Sequence, residues 1–455
     1  MKSIVKACTS AVLLALGMSQ AQAAEVPAPL DAARAAAVQQ IIEKAAPSLL
    51  AAYKDLHRNP ELAFMEVRTA NILATHLKSL GFEVKTGIGK TGVVGILRNG
   101  PGPVVMYRAD MDANAVEEAT GIDYASKVRV KRLDGIEVPV GHMCGHDAHV
   151  VWLMGVASAV TALKSSWSGT LVLVGQPAEE TIQGAAAMVD DGLYTRHGVP
   201  VPDFLLALHT APIPTGTLAS VGGLRQAGTD QLDVTFRGVG VHGSTPQLGK
   251  DPVVMAASAI MQYQTIISRI VDPLETAVLT VGSVQAGADN NVIPESALLK
   301  LNLRFFSPAV REQMLGSIKA INDGIALSNG MPADKMPVIT MKGGSGPLIN
   351  DQETIDRLNR MFMTAARIGE NALIKALPKV TGSEDAHMLV RDYKTTKIGY
   401  VLVGTAEPEL FAAAQKRGLA VPFFNHNPAY RVDEAAIAFG AKIGTLATLE
   451  MLGRR

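Results

Sequence analysis

Cysteine is nearly absent: the 455-residue chain carries two, Cys8 and Cys144. Cys8 falls in an N-terminal stretch with the marks of a removable leader, so Cys144 is left without a partner for an intramolecular disulfide. Net charge is absent as well. Acidic and basic residues balance at 42 each with no long run of either sign, which excludes a chain built for nucleic acid or an anionic membrane surface. No apolar run approaches the ~20 residues that span a bilayer. Aromatics make up only 5%, while Ala, Gly, Val and Leu abound, a composition suited to helices packed tightly on sheets. Internal repeats and low-complexity linkers are missing too.

The N-terminus has what the rest lacks. Lys2 and Lys6 form a basic n-region, Ala11 to Met18 an apolar core, and Ala21-Gln22-Ala23 a small-residue cleavage site, the pattern of a secretory signal over residues 1–23. Cys8 comes too early for lipid attachment. The expected destination is the bacterial periplasm or the exterior. The remaining chain of about 430 residues exceeds what one core usually supports, so two domains are expected.

Apolar residues recur at helical spacing from Leu30 to Leu80, interrupted at Arg58-Asn59-Pro60, where proline favours a corner. Strands are expected at Thr91–Leu97 and Val104–Tyr107, the second running into Arg108-Ala109-Asp110-Met111-Asp112. A helix is expected from Val150 to Leu163, then buried strands at Leu171–Val174 and Leu205–Leu208, which end in Gln176-Pro177-Ala178-Glu179-Glu180 and in His209. Near Leu224 the pattern changes. An alternating strand at Gln231–Arg237, a helix at Pro252–Ile270, strands at Ala277–Val284 and Ala297–Phe305, a helix at Pro308–Leu327 and a strand near Val338 give the β-α-β-β-α-β order of a ferredoxin-like split motif. The reading is an α/β protein: a catalytic domain over 24–223 and 340–455, with a central mixed sheet flanked by helices, and an inserted ferredoxin-like α+β lid and dimerisation domain over 224–339.

The densest chemistry lies in Gly141-His142-Met143-Cys144-Gly145-His146-Asp147-Ala148-His149, which holds three of the ten histidines. Thiolate, imidazole and carboxylate are the side chains that take transition metals. Glycine lets the backbone turn so that they converge. A plain loop with locally bonded histidines is the competing reading. Asp110 and Asp112 sit where open α/β sheets gather functional residues, beyond a strand's carboxyl end, although a solvated turn or helix cap serves the same residues. For Glu179 and Glu180, an extended backbone would aim successive side chains to opposite sides, one to metal and one to substrate. At His209 a core histidine competes with a ligand.

Together these segments resemble the amidohydrolase branch of the co-catalytic metallopeptidases: hippurate hydrolases, N-acyl-amino-acid amidohydrolases and indole-acetyl-amino-acid hydrolases, with carboxypeptidase G and aminoacylase more distant. Further matches are His57-Arg58-Asn59-Pro60-Glu61, His242 in Gly-Val-His-Gly-Ser-Thr-Pro, Asn291-Val292-Ile293-Pro294, Ser383-Glu384-Asp385 and His426, in order along the mature chain. The resemblance implies two divalent metal ions held by Cys144, His146, Glu180, His209 and His426, with Glu179 as general base and Asp112 supporting the metals. It implies that His242 reaches an active site, in relatives that of the partner subunit, and that Asn291 and Arg304 meet the substrate carboxylate. Zinc suits the thiolate and imidazoles, and manganese, cobalt or nickel suit the carboxylate and water ligands.

Two departures from the family pattern bear on substrate choice: His387 after Ser383-Glu384-Asp385-Ala386, and Asn425 before His426. The implied reaction is hydrolysis of an N-acyl amino acid by a metal-activated water, in a homodimer or higher homo-oligomer with no nucleic-acid or membrane partner. The alternative is an exported dipeptidase or carboxypeptidase, against which Cys144 argues, because peptidase relatives usually carry an aspartate there.

Overall fold

The computed structural model describes residues 30–132 and 135–454; the leader expected over 1–23 lies outside the described residues. Helix α1 (Ala32–Arg58) starts at Asp31, whose side chain accepts from the Arg34 amide, the capping that satisfies a first-turn donor. Helix α2 (Val67–Ser79) follows the Asn59-Pro60 corner. The order continues with β1 (Glu83–Ile88), β2 (Gly92–Asn99), β3 (Val104–Asp110), α3 (His146–Ala162), β4 (Trp167–Gln176), α4 (Gly184–Asp190) and β5 (Phe204–Pro214). The four-stranded module comprises β6 (Gly228–Arg237), α5 (Pro252–Thr265), β7 (Ala277–Ala286), β8 (Ser296–Phe305), α6 (Pro308–Ser328) and β9 (Val338–Ser345). Helix α7 (Gln352–Thr364), β10 (Lys397–Ala406), α8 (Pro408–Lys416) and α9 (Ala435–Met451) complete the chain.

The large sheet has nine strands in the order β1-β2-β4-β3-β5-β10, extended by Leu218–Ala219 and Leu373–Ile374, with Gly453–Arg454 pairing β4. β3 is parallel to both β4 and β5, and β10 is parallel to β5, while β2 runs antiparallel to β4. This is the expected mixed sheet. Its strands are apolar on both sides. Leu171 and Leu173 pack into the core beneath α1, α3 and α9, whereas Val172 and Val174 join the core under α4. Each such buried aliphatic side chain stabilises the fold by about 1.5–3 kcal/mol. Helix α3 is buried on nearly every side, which its almost unbroken apolar sequence requires.

The second sheet has the order β7-β8-β6-β9, all antiparallel, the arrangement of a split β-α-β motif. Along β8, Ala297, Leu299, Leu301, Leu303 and Phe305 are buried in one core with residues of α5 and α6. Period-two alternation turns Lys300, Asn302 and Arg304 to the opposite, open face. The chain passes between the sheets twice, and the two crossings, Gly223–Gln226 and Leu348–Asn350, pair with each other as a short ribbon. No described helix is long and apolar enough to cross a membrane.

Candidate metal centre and active site

Because β3, β4 and β5 are parallel neighbours, their carboxyl ends open onto one edge, where open α/β sheets place their sites. β3 delivers Asp110 and Asp112 there, β4 delivers the turn bearing Glu179 and Glu180, and β5 delivers His209 just past its last pairing with β3, Arg108 with Ala207. Three expectations need correction. β5 does not end at His209 but continues to Pro214. Nor does the backbone at Glu179 and Glu180 stay extended: it is a turn, entered through Ala178 at φ 51°. Opposite facing on a strand is therefore not what separates the two glutamates. Helix α3 also begins earlier than Val150, at His146, after Gly145 at φ 82°. A Cβ at Gly145 would come within 2.8 Å of Thr210, so glycine is required both for the turn and for the close approach.

The expected ligand residues converge. His146 Nε2 lies 3.8 Å from Glu180 Oε1, and His426 Nε2 lies 3.2 Å from Glu180 Oε2. Cys144 Sγ is 3.7 Å from His209 Nε2. Ligand atoms of Cys144, His146 and Glu180 all fall within 4.8 Å of one another. Burial and the Glu180 charge push the Cys144 thiol up, yet His146 and His209 outweigh them and bring it down to about 5, the thiolate a metal requires.

The donor set fits two divalent ions, and the test is in the orphaned atoms. His146 donates Nδ1–H to the Asp112 carbonyl at 2.8 Å. Its Nε2 and Glu180 Oε1 are both buried without a hydrogen-bond partner. A ring nitrogen and a carboxylate oxygen buried side by side with no partner are costly unless a cation lies between them. His209 is oriented likewise, with Nδ1 on the Thr210 carbonyl at 2.8 Å. His426 differs: it is half exposed at the rim, at φ 69°, and tied by its amide to the Met143 carbonyl at 2.6 Å.

Company, not strand geometry, distinguishes the adjacent glutamates. Glu180 faces Cys144 and His426. Glu179 faces His146 at 3.8 Å on one side and Glu384 and Asp385 on the other. Burial and then the Glu384 and Glu180 charges hold its carboxyl well above the usual range. Asp112 supports both, accepting the Glu179 amide on Oδ1 and the Glu180 amide on Oδ2, each at 3.0 Å.

A buried network behind these residues was not legible from motif spacing. Arg108, 1% exposed, donates to Asp110 at 2.6 Å, Glu384 at 2.8 Å and Gln176 at 2.9 Å. Asp110 also accepts from His149, whose other nitrogen accepts the Thr210 amide at 2.8 Å. Asp110 and His149 lie near His146 and His209, but their polar atoms are occupied by protein, so they orient rather than ligate. The signal was available: an arginine ending an apolar strand needs buried carboxylates.

The remaining expected residues are distributed differently. Arg304 crosses from the open face of β8 to hydrogen-bond the Ser383 hydroxyl, with Nε on Asn302 at 2.8 Å. Burial lowers its pKa against the opposing charge of Glu179. The Asn425 amide donates to Cys144 Sγ at 3.4 Å. His387 has both ring nitrogens buried and unpartnered, and burial pushes its pKa down to about 4. His242 and Asn291 are not brought into the buried cluster. Both are exposed; His242 lies on a two-residue strand paired with Val292–Ile293, and Asn291 in the turn just before that partner. His242 Nδ1 bonds Ser244 Oγ at 2.7 Å, and the Asn291 carbonyl accepts from Gly243 at 2.7 Å.

Known proteins share this arrangement. The profile of Peptidase family M20/M25/M40 matches residues 106–416. An IAA-amino acid hydrolase (ILR1-like 2) from Arabidopsis thaliana is 30% identical over 407 residues, covering 88% of this chain and 84% of that protein. A hippurate hydrolase from Campylobacter jejuni is 37% identical over 276 residues, 60% of this chain and 68% of that one. Among solved structures, a dinuclear metal-binding peptidase of the M20 family from Bacillus subtilis superposes with a TM-score of 0.65 at 25% identity, covering 90% of this chain and 99% of the other. The resemblance read from the motifs is thus met, and the chain belongs to Peptidase family M20/M25/M40 as a metal-dependent hydrolase of amide bonds.

Proposed function

We propose that this protein cleaves the amide bond of small N-acyl amino acids whose carboxylate is free. The observation that carries the reading is the pair Glu179 and Glu180 around His146 Nε2, one glutamate among the metal donors and the other beside them, with Arg304 reaching the same seam from the second sheet. The relatives named IAA-amino acid hydrolase and hippurate hydrolase support it.

Cys144, His146, Glu180, His209 and His426 would hold the metals. When bound, the metals supply the Lewis acidity that makes water nucleophilic at neutral pH. The protein's own groups do the rest. Glu179 takes a proton from the attacking water and returns it to the leaving nitrogen as the C–N bond breaks. Asp112, holding the amides of both glutamates, fixes their turn. Arg304 exchanges its Ser383 contact for the substrate carboxylate, which suits a planar guanidinium. Asn425 and His387 shape the acyl side.

Zinc is our first choice of metal, on the softness of thiolate and imidazole, ahead of manganese, cobalt or nickel. We read 224–339 as a lid that also dimerises, with His242 and Asn291 serving a partner's site. The exposed edge strand β7 and its outward Val278 and Val284 support this. Export through a signal over 1–23 completes the reading.

The test is kcat/KM for an N-acyl amino acid and for its carboxamide. Loss of the carboxylate should cost about 2–5 kcal/mol, as truncating a buried charge pair does. Arg304→Ala should weaken the acid alone and flatten the preference. Equal kcat/KM for acid and amide in the native protein would overturn the substrate class.

A further inference from the structure

The His57-Arg58-Asn59-Pro60-Glu61 motif contributes no group to the chemistry above, yet its histidine is among the most enclosed in the protein. His57, in the last turn of α1, is 1% exposed and packed edge-on against Tyr124. Its Nδ1 lies 2.6 Å from Asp147 Oδ2 and its Nε2 lies 3.2 Å from Glu118 Oε1. Ionised carboxylates only accept, so a ring facing one at each nitrogen donates from both and carries a positive charge. Burial opposes that charge, but Asp147 and Glu118 prevail and raise the imidazole to about 9.

Each partner leads to a different part of the metal centre. Asp147 follows His146 in the first turn of α3, and its Oδ1 accepts the Ala148 amide at 2.9 Å. Glu118 closes its own loop by accepting the Ser126 amide at 2.6 Å. The next residue, Ala119, donates to the Pro428 carbonyl at 2.7 Å, beside the segment that carries His426. His57 therefore joins the turn holding Cys144 and His146 to the loop supporting His426, which arrive from positions far apart in sequence.

We infer that His57 is a positioning residue for the metal centre, a buried cationic clamp on Asp147 and Glu118 that holds the Cys144–His146 turn and the His426 segment in register. The inference rests on the metal-site reading above. Groups that orient ligands from outside the coordination shell typically carry roughly 10–100-fold of metal affinity.

The experiment strips the full-length chain of metal, titrates it with cobalt(II), and records the cobalt absorption spectrum and the thermal midpoint with and without metal. For His57→Gln the cobalt dissociation constant should rise roughly 10–100-fold, with an altered spectrum. The metal-induced rise in midpoint should shrink. A purely structural role would lower both midpoints equally and leave affinity and spectrum unchanged, and that result overturns the clamp. If His57→Gln does not fold, Glu118→Gln removes one arm only. A weaker, measurable loss of cobalt affinity there supports the inference, and native affinity overturns it. If the native chain itself takes up no cobalt, the metal-site reading fails first and the clamp's role falls with it.

Discussion

In the nine-stranded sheet, Leu171 and Leu173 face one helical layer while Val172 and Val174 face the other. In the four-stranded sheet, Leu299 and Leu301 are buried but Lys300 and Asn302 beside them are not. A sheet covered on both faces has only its strand ends to offer a substrate, and the metal donors stand there. A sheet covered on one face can present side chains along its strands, and Arg304 is presented that way. On the proposed function, the first sheet supplies fixed chemistry and the second supplies recognition.

The largest effect expected is at the strand ends. Glu179→Gln should lower kcat by about 10²–10⁴ while metal content by elemental analysis stays native; loss of metal in this variant would move Glu179 into the ligand set. The doubly covered sheet should be nearly as sensitive in stability. Leu173→Ala should cost about 2–5 kcal/mol in denaturant unfolding, and a much smaller loss would mean that the layer of α1, α3 and α9 does not close over β4. Cys144→Ser comes next, weakening metal binding on the order of tenfold or more, because an alcohol does not ionise on coordination as a thiol does. The native thiol should resist alkylation in the holo-protein and react after chelation; equal labelling in both states would argue against coordination. The smallest effect belongs to the open face of the second sheet. Lys300→Ala, exposed on that face, should change unfolding stability by no more than about 0.5 kcal/mol, and a large loss would show that this face is covered.

How much could be read before the structure divides along the same line. Where one short segment holds several donors, as at Cys144 and His146, sequence alone pointed to metal, since so many ligand types seldom gather without one. The split β-α-β order was legible because period-two and helical spacing alternate cleanly from Gln231 to Val338. What was not legible depends on contacts distant in sequence. Arg108 meets Glu384, His149 meets Asp110, and His57 meets both Asp147 and Glu118. Burial makes each pairing obligatory, but nothing in a linear motif names the partner. The turn at Glu179 and Glu180 escaped the sequence for the same reason: its geometry is set by Asp112 accepting both amides, a residue 67 positions from the first and 68 from the second.

The most direct measurement is steady-state turnover by the metal-reconstituted protein of N-acetyl and N-benzoyl amino acids beside unblocked dipeptides of the same C-terminal residue. Faster hydrolysis of the N-acyl compounds, abolished by chelation and restored by zinc or manganese, is expected. Preferential cleavage of the dipeptides, or turnover that survives complete removal of metal, would contradict a metal-dependent N-acyl-amino-acid hydrolase.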